Sequence, residues 1–358
     1  MRFALSEDQT LLQDSVSRAL ADLSPLERVR KYADGDECSA PDIWAGLSDL
    51  GLPGLMIAEE HGGLGLGLVE AALAAEALGR MVAPTPFLGS AVLAPLTLKL
   101  AGTAEQQARW LPKLASGEVI AGVAISEAVA GARDDAGVTA ANGRLSGKAL
   151  FALDAPGADL LVVADRTGRL HIAEVAATAD LMPCLDATRR LVELSFDATP
   201  AEPLAVGTTL DRLRDAAWVM LAADTLGAAQ AMLDKAVAYS KERKQFGRTI
   251  GSFQAVKHLC AEMAAELEPA RALVWYAAYA FEHAPDEAPL MAAHAKAHLS
   301  EIGRFIARTS TEVHGGIGMT DLLGLHYWFK RIGQNRQLLG GPEKVREIAA
   351  KLQGLIPA

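Results

Sequence analysis

The 358-residue sequence contains few cysteines and no long apolar run. Its three cysteines, Cys38, Cys184 and Cys260, are far apart and odd in number, which fits neither a metal-binding spacing nor a disulfide framework. Such sparse cysteine usage is typical of a reducing compartment, and we expect a cytoplasmic protein. The longest apolar run, residues 216–223, ends at Asp224. It is far shorter than the roughly 18 residues that predict a membrane-spanning helix, so we expect none.

An excess of basic charge is also absent. The sequence has 34 Lys and Arg against 44 Asp and Glu, for a formal net charge of −10. Binding to nucleic acid is therefore disfavoured, because phosphate contacts need a basic surface. A small anionic ligand is compatible with this charge, since it needs only a few local Lys or Arg residues. Apolar residues make up 51% of the chain, which excludes a disordered protein and, at this length, predicts two or three domains.

The first part of the chain has the pattern of helices. Ser6 with Gln9, and Thr103 with Gln106, have the spacing of helix-capping boxes. Apolar residues at helical spacing follow each of them. We therefore predict that residues 1–116 form a helical domain.

Short apolar runs replace the helical pattern in residues 117–207. Asn142-Gly143 is a hairpin-turn signal between two such runs, and residues 191–196 alternate with a period of two. No helical pattern separates the runs. We expect this part to be a small antiparallel β barrel or sandwich.

The last part, residues 208–358, is helical and rich in alanine. The apolar spacing predicts three long helices over residues 210–241, 252–283 and 289–313, followed by two shorter ones. Long helices with short connections pack as an antiparallel bundle. The predicted order is thus helices, a small β domain, and a helical bundle.

Two motifs that suggest cofactor or metal binding have a simpler interpretation, in which their residues have only a structural role. Residues 61–67 contain four glycines, but they lack the preceding strand of a dinucleotide-binding fingerprint and are predicted to form a tight loop between helices. His294 and His298 share one helix face at a spacing that suits zinc. The glutamate of the zinc-protease motif is missing between them, so we predict no metal site.

Two other segments are candidates for ligand contact. Residues 243–247, Arg-Lys-Gln-Phe-Gly, end the first long helix. Their basic side chains either complement the helix dipole or, with Phe246 and Gly247, receive a flat, phosphate-bearing ligand. Residues 314–318, His-Gly-Gly-Ile-Gly, lie between two predicted helices. They form either an interhelix turn or a place where backbone amides contact an anion or a ring.

Taken together, four segments in this order resemble the acyl-CoA dehydrogenase family of flavoproteins, over nearly the whole chain. The segments are residues 59–66, 78–90, 242–256 and 313–319. The second is similar to the shorter bacterial members that act in lipid and steroid side-chain breakdown. The resemblance implies an α+β, mostly α fold: an N-terminal helical domain, a middle antiparallel β barrel or sandwich, and a C-terminal four-helix bundle that mediates oligomerisation.

The resemblance also implies a cofactor and a reaction. FAD would be bound between the middle and C-terminal domains and completed by the neighbouring subunit. The reaction would be α,β-dehydrogenation of an acyl-CoA thioester, with a carboxylate as base and an electron-transfer flavoprotein or similar acceptor. Seven residues match cofactor-contacting positions of the family: Arg243, Phe246, Gln254, Gly315, Gly316, Ser126 and Phe151.

The sequence departs from the family pattern at the base and in the middle domain. Gly340 and Ala217 occupy the two positions where family members carry the catalytic glutamate, and neither can accept a proton. The nearby carboxylates, Asp215 and Glu343, are expected to be solvated at helix ends unless a local shift makes one of them the base. The middle-domain motif is degraded as well, since residues 126–133 read Ser-Glu-Ala-Val-Ala-Gly-Ala-Arg.

Three functions are consistent with these features. An autonomous, homo-oligomeric acyl-CoA dehydrogenase would take its base from an unexpected residue. A subunit without a base would work in a heterotetramer with a homologue that carries the glutamate. A ligand-binding or scaffold protein on the same fold would have no redox activity. The missing carboxylates favour the second function, because the residues that are retained serve a partner's flavin: Arg243, Phe246, Gln254, Gly315 and Gly316.

Overall fold

The structure is a computed structural model that describes residues 4–176, 178–205, 207 and 209–357. Six helices precede the first strand. They are α1 (Glu7–Leu23), α2 (Leu26–Asp34), α3 (Pro41–Ser48), α4 (Leu68–Met81), α5 (Ala94–Ala101) and α6 (Ala104–Ala115), with a π-helical turn at Leu88–Leu93 before α5.

Two of these helices begin at the capping boxes that the sequence predicts. The side chains of Ser6 and Thr103 accept hydrogen bonds from the backbone amides of Gln9 and Gln106. Each glutamine side chain accepts a hydrogen bond from the backbone amide of its capping residue in return. The glycine-rich segment before α4 forms the predicted loop between helices, with one short turn of 3₁₀ helix at Glu59–His61.

Two four-stranded sheets and one short helix, α7 (Ser126–Ala130), form the middle part. The strands are β1 (Ala121–Ala124), β2 (Gly137–Ala141), β3 (Arg144–Ala152), β4 (Leu160–Ala164), β5 (Leu170–Ala173), β6 (Thr178–Leu181), β7 (Val192–Pro200) and β8 (Glu202–Pro203). The strand orders in the two sheets are β1-β4-β5-β8 and β2-β3-β7-β6. Asn142 and Gly143, both with positive φ, connect β2 to β3 and confirm the predicted hairpin.

The expectation of a purely antiparallel middle domain is wrong in one pairing. Strands β1 and β4 are parallel, with Val123 opposite Val162. A parallel pair needs a long crossover, and α7 with the β2–β3 hairpin supplies it. Helix α7 was not predicted, because its five residues are too few to show a helical period.

Three long helices and two shorter ones form the C-terminal part, as predicted. The observed ends of the long helices lie within two residues of the expected ones, because their apolar spacing is sustained over many turns. A two-stranded ribbon, β9 (Lys244–Gln245) with β10 (Arg248–Thr249), joins the first two. The helices are α8 (Thr209–Glu242), α9 (Gln254–His283), α10 (Ala288–His314), α11 (Leu325–Gln337) and α12 (Pro342–Leu352).

Helix α8 is the central helix of the core. It is long and apolar enough to cross a membrane, yet 94% of its most apolar part is buried inside the fold. Helix α4 crosses it closely. A side chain at Gly79 would collide with the carbonyl of Asp224, and one at Gly227 with the carbonyl of Glu76. The two glycines therefore set the distance between the N-terminal helices and α8.

Candidate functional site

A cleft of about 560 Å³ opens between the middle sheets and the C-terminal helices. This volume is within the roughly 300–1,000 Å³ that is typical of small-molecule sites. One wall comes from α7, the end of β3 and the loop between β6 and β7; the other comes from α11 and the residues after it. Two of the seven predicted cofactor contacts, Ser126 and Phe151, line this cleft.

Phe151 is held in the first wall by its backbone. Its φ of 55° is unusual for a residue with a side chain. The Ser126 hydroxyl donates to the Phe151 carbonyl at 3.3 Å, and the Phe151 amide donates to the sulfur of Met182 at 3.2 Å. The Arg133 guanidinium lies 5.8 Å from the centre of the Phe151 ring, in range of a cation–π contact. An aromatic ring and a cation therefore lie side by side in the cleft wall.

The second wall is fixed from behind. Helix α11 contributes Phe329 and Gln334, and the chain after it contributes Leu339. The indole of Trp218 on α8 donates to the Leu339 carbonyl at 2.8 Å. The Gln334 side chain donates to the carbonyl of Arg189, in the opposite wall, also at 2.8 Å. The two walls are thus joined by a direct hydrogen bond.

A buried ion cluster, defined here as Asp186, Arg189, Asp224, Arg331 and Asn335, joins the two walls further. The Arg331 guanidinium contacts Asp186 at 2.8 Å and Asp224 at 3.0 Å, and Arg189 contacts Asp224 at 3.0 Å. The Asn335 amide donates to Asp224 at 2.6 Å. Burial favours a raised pKa for Asp224, but Arg189 and Arg331 outweigh burial and lower that pKa. Two cations and two anions balance here, which makes their burial tolerable.

Neither expected base position carries a group that accepts a proton. Gly340 is buried with a φ of 108°, and Ala217 is fully buried on α8. The alternative carboxylates, Asp215 and Glu343, are not among the described residues that line the cleft. The geometry therefore supports none of these four residues as a base for a ligand in the cleft.

The expectation that Asp215 is a solvated helix-end carboxylate is wrong. Asp215 is 1% exposed and pairs with Arg214 at 2.8 Å, and burial raises its pKa. Glu343, by contrast, is exposed as expected and pairs with Arg336 at 3.2 Å. A hydrogen bond from its own backbone amide, together with Arg336, lowers the pKa of Glu343.

Glu127 is a carboxylate in the cleft that sequence reasoning did not single out. It is the one carboxylate among the described residues that line the cleft. Its Oε1 accepts a hydrogen bond from the amide of Leu150 at 2.7 Å, and burial raises its pKa. Its place directly after Ser126, in the degraded motif, is the only signal that the sequence offers.

The other five predicted cofactor contacts lie at one end of the C-terminal helices. Helices α8 and α10 end side by side there, and Tyr239 stacks on His314 with ring centres 4.7 Å apart. Gly315 follows directly. We call this exposed surface the bundle end and define it by Arg243, Phe246, Gln254, Gly315 and Gly316.

Side chains at the bundle end have little protein around them. Phe246 is 92% exposed and meets the edge of Phe253 at a ring distance of 6.2 Å. Arg243 is also exposed. A side chain added at Gly315 or Gly316 would meet no described atom within 4 Å. This surface is open to a ligand or to another chain.

The cleft and the bundle end are far apart in one chain. Trp218 contacts the cleft wall, and 24 residues of α8 separate it from Glu242, next to Arg243. At the helical rise of about 1.5 Å per residue, this corresponds to about 36 Å. The structure therefore groups the seven predicted contacts into two separate sets.

The histidines and cysteines do not form a metal centre within the described ranges. Three or more His, Cys, Asp or Glu side chains converge nowhere in that part of the chain. His294 is partly buried and His298 is exposed on α10. The three cysteines are unpaired.

The cleft residues fit the FAD that the resemblance implies. Phe151 and Phe329 offer apolar, aromatic surface to a flat ring, and Ser126 and Gln334 offer hydrogen-bond partners for its polar edge. Arg133 and Lys330 also line the cleft, and cations of this kind bind phosphate groups.

Comparison with known proteins assigns the family. Residues 6–118 match the acyl-CoA dehydrogenase N-terminal domain, and residues 210–352 match the C-terminal domain. The chain is 32% identical to the acyl-CoA dehydrogenase IpdE2 of Mycolicibacterium smegmatis, over 97% of this chain and 100% of that protein.

Two solved structures are similar over almost their full length. A variant of the Tcur3481–Tcur3483 steroid ACAD (acyl-CoA dehydrogenase) has a TM-score of 0.89, 29% identity and 98% coverage of both chains. The ChsE4–ChsE5 complex from Mycobacterium tuberculosis has a TM-score of 0.91, 25% identity and 100% coverage of both chains. The chain therefore belongs to the acyl-CoA dehydrogenase family, whose members are FAD-dependent flavoproteins.

Proposed function

We propose that this chain is a subunit without a catalytic base in a heteromeric acyl-CoA dehydrogenase. It binds FAD in its own cleft, and its bundle end completes the FAD site of a homologous partner that carries the glutamate. The assembly dehydrogenates an acyl-CoA thioester in the cytoplasm. Electrons then pass to an electron-transfer flavoprotein or a similar acceptor.

The separation of the cleft from the bundle end carries this proposal. One flavin in the cleft lies about 36 Å of helix away from Arg243 and Phe246 of the same chain. Those two residues therefore serve a flavin held by another chain. An exposed aromatic side chain next to a cation does not stabilise a monomer and is typical of an interaction surface. We therefore expect an oligomer that forms through the C-terminal helices.

The missing base supports a partner of a different kind rather than a second copy. The α-proton of a thioester is weakly acidic, and its removal needs a carboxylate within hydrogen-bond reach. Gly340 and Ala217 are buried and have no acidic group. A homo-oligomer would repeat this deficiency in every site, whereas a Glu-bearing homologue would repair it.

The roles of the chain's own residues follow from their positions. Ser126, Phe151 and Gln334 would hold the ring system of FAD in the cleft, and Arg133 would neutralise phosphate. Arg243 and Phe246 would contact the partner's FAD. When bound, FAD supplies the hydride acceptor for the dehydrogenation.

The solved relatives support a heteromer and suggest a substrate class. The names Tcur3481–Tcur3483 and ChsE4–ChsE5 each join two proteins. The first is a steroid ACAD. We therefore propose a steroid-derived acyl-CoA as the first substrate to test.

Co-expression with a Glu-bearing homologue tests the proposal. We expect the purified complex to show flavin absorbance and to reduce an artificial electron acceptor with acyl-CoA. This chain alone should be slower by about 10²–10⁴-fold or more. As a control, the partner's glutamate is replaced by glutamine, which should keep the flavin and abolish turnover. Robust turnover by the single chain would contradict the proposal.

An autonomous enzyme is the second candidate, and Glu127 favours it. Glu127 lines the cleft, and burial raises its pKa above the usual value of a glutamate, which favours proton acceptance. If the single chain is active, Glu127→Gln should reduce kcat by about 10²-fold or more. Asp215→Asn and Glu343→Gln serve as controls, because neither residue lines the cleft.

A further inference from the structure

Five glycines lie inside α-helices in the part of the chain that the structure describes, and four of them have a structural reason. A side chain at any of these four would come within 3.0 Å of neighbouring protein atoms. Each of them therefore allows two parts of the chain to pack closely. These four glycines are Gly46, Gly79, Gly227 and Gly303.

The fifth, Gly333, has no such neighbour. It lies in the second half of α11, is exposed, and lines the cleft. A side chain added there would meet no described atom within 4 Å. Its φ is not positive, so the backbone does not require glycine either. A glycine inside a helix lowers the stability of that helix relative to alanine. Nothing in the described chain explains why this position lacks a side chain.

The surroundings of Gly333 suggest what the position makes room for. Phe329 and Gln337 lie one helical turn before and after it, on the same face, and both line the cleft. Phe151 and Leu185 line the cleft from the middle domain. Gly333 is therefore a notch in one wall of a slot between two mostly apolar surfaces.

We propose that Gly333 is a cofactor-contact position: the missing side chain lets the flat ring of FAD lie directly against the backbone of α11, between Phe329 and Gln337. This assignment rests on the proposed function in one respect, namely that FAD occupies this cleft. It adds a contact that none of the seven family-matched residues supplies.

The proposal predicts opposite effects on stability and on cofactor binding. Because the position is open and helical, Gly333→Ala should raise the Tm of the flavin-free protein by about 1–3 °C. The same change should lower FAD affinity. Gly333→Leu fills the notch and should lower FAD affinity by about ten- to a hundredfold. A glycine with a purely structural role would not show a higher Tm together with a lower FAD affinity.

The experiment uses the full chain in complex with its Glu-bearing partner. Thermal unfolding of the flavin-free form, fluorescence titration with FAD that resolves the sites of the two subunits, and the KM for acyl-CoA are measured for wild type, Gly333→Ala and Gly333→Leu. Ala21→Leu is the matched control, since Ala21 is exposed on α1 and does not line the cleft. It introduces the same leucine side chain at an exposed helical position away from the cleft and should leave FAD affinity unchanged.

The outcomes separate this inference from the proposed function. If wild type takes up FAD and Gly333→Leu binds it equally well, the inference is overturned and the proposed function stands. Unchanged FAD affinity with a raised KM for acyl-CoA would also overturn it, because the substrate would then occupy the notch. A lower Tm for Gly333→Ala would also overturn the inference, because it would mean that neighbouring protein atoms occupy the space beside Gly333. Wild type without any FAD would overturn the proposed function as well.

Discussion

Helix α8 connects two regions that differ in the burial of their side chains and in the number of bonding partners within the chain. At the cleft end, Arg331 is 1% exposed and bonds to Asp186, Asp224 and Thr188. At the bundle end, Phe246 is 92% exposed. The Arg243 side chain makes no ion pair with any residue that the structure describes.

The difference indicates which site the chain completes by itself. Burying a charge is tolerated only when partners and hydrogen bonds compensate for lost water, and the cleft end has all of them within one chain. The bundle end has an exposed cation, an exposed ring and two glycines with open space beside them. An exposed surface of this kind is the one that the proposed function assigns to contact with the partner's FAD.

The largest expected effect is loss of the buried ion cluster. Arg331→Met leaves Asp186 and Asp224 buried with fewer partners, and removing one member of a buried pair costs about 3–5 kcal/mol. We expect the free energy of unfolding, measured by urea titration, to fall by this amount. Arg304→Ala is the control, because Arg304 pairs with Glu301 on the surface; it should change stability by about 0.5 kcal/mol or less. Equal effects of both substitutions would mean that the buried ion cluster contributes no more to stability than a surface ion pair.

Arg243→Ala should affect cofactor binding and leave folding intact. A charge-assisted, bidentate contact with a phosphate group should be lost, which lowers FAD affinity in the assembled enzyme by about ten- to a hundredfold. Arg243→Lys keeps the charge and loses the two-pronged geometry, so it should recover only part of the affinity. Bound FAD per protein and the Tm are measured together. Full flavin content in Arg243→Ala would leave only a helix-dipole role for this residue.

The pH dependence of stability should report on Lys296 at the cleft end. Lys296 is 2% exposed, donates hydrogen bonds to the carbonyls of Asn335 and Arg336 at the end of α11, and burial lowers its pKa to about 7. Unfolded lysine has a pKa of about 10.4. Between these values the unfolded chain binds the extra proton, so the free energy of unfolding rises with pH.

The expected rise between about pH 7 and pH 9 is about 1–2 kcal/mol. Lys296→Met should remove this slope, whereas Lys344→Met, at an exposed position that pairs with Glu347, should keep it. Urea unfolding at several pH values measures the slope. The same slope in Lys296→Met would mean that other groups cause it.

The smallest expected effect is that of Phe246→Ser on the isolated chain. An exposed ring contributes little to folding, so stability should change by about 0.5 kcal/mol or less. The same substitution should weaken assembly, which sedimentation at micromolar concentration can detect. A large loss of stability in the isolated chain would show that Phe246 packs within its own chain.

Local patterns in the sequence determined much of the fold. The capping boxes at Ser6 and Thr103 and the ends of the three long helices were predicted because capping and apolar spacing are local properties. The absence of a base at Gly340 and Ala217 also follows from the sequence alone, since no fold gives glycine or alanine an acidic group. The motif at Arg243 and Phe246 pointed to an exposed contact surface.

Only the tertiary structure decided which of these residues meet. Asp215 is buried because other elements cover its side of α8, which no local pattern reports. Asp224 pairs with Arg331 across 107 residues of sequence, and Glu127 and Gly333 share a cleft although they lie on two helices, α7 and α11, that are far apart in the sequence. The sequence alone determined the long helices and the lack of an acidic group at Gly340 and Ala217, because local spacing and side-chain chemistry do not depend on long-range contacts. Burial, ion pairing and the cleft depend on those contacts, and only the folded chain brings them together.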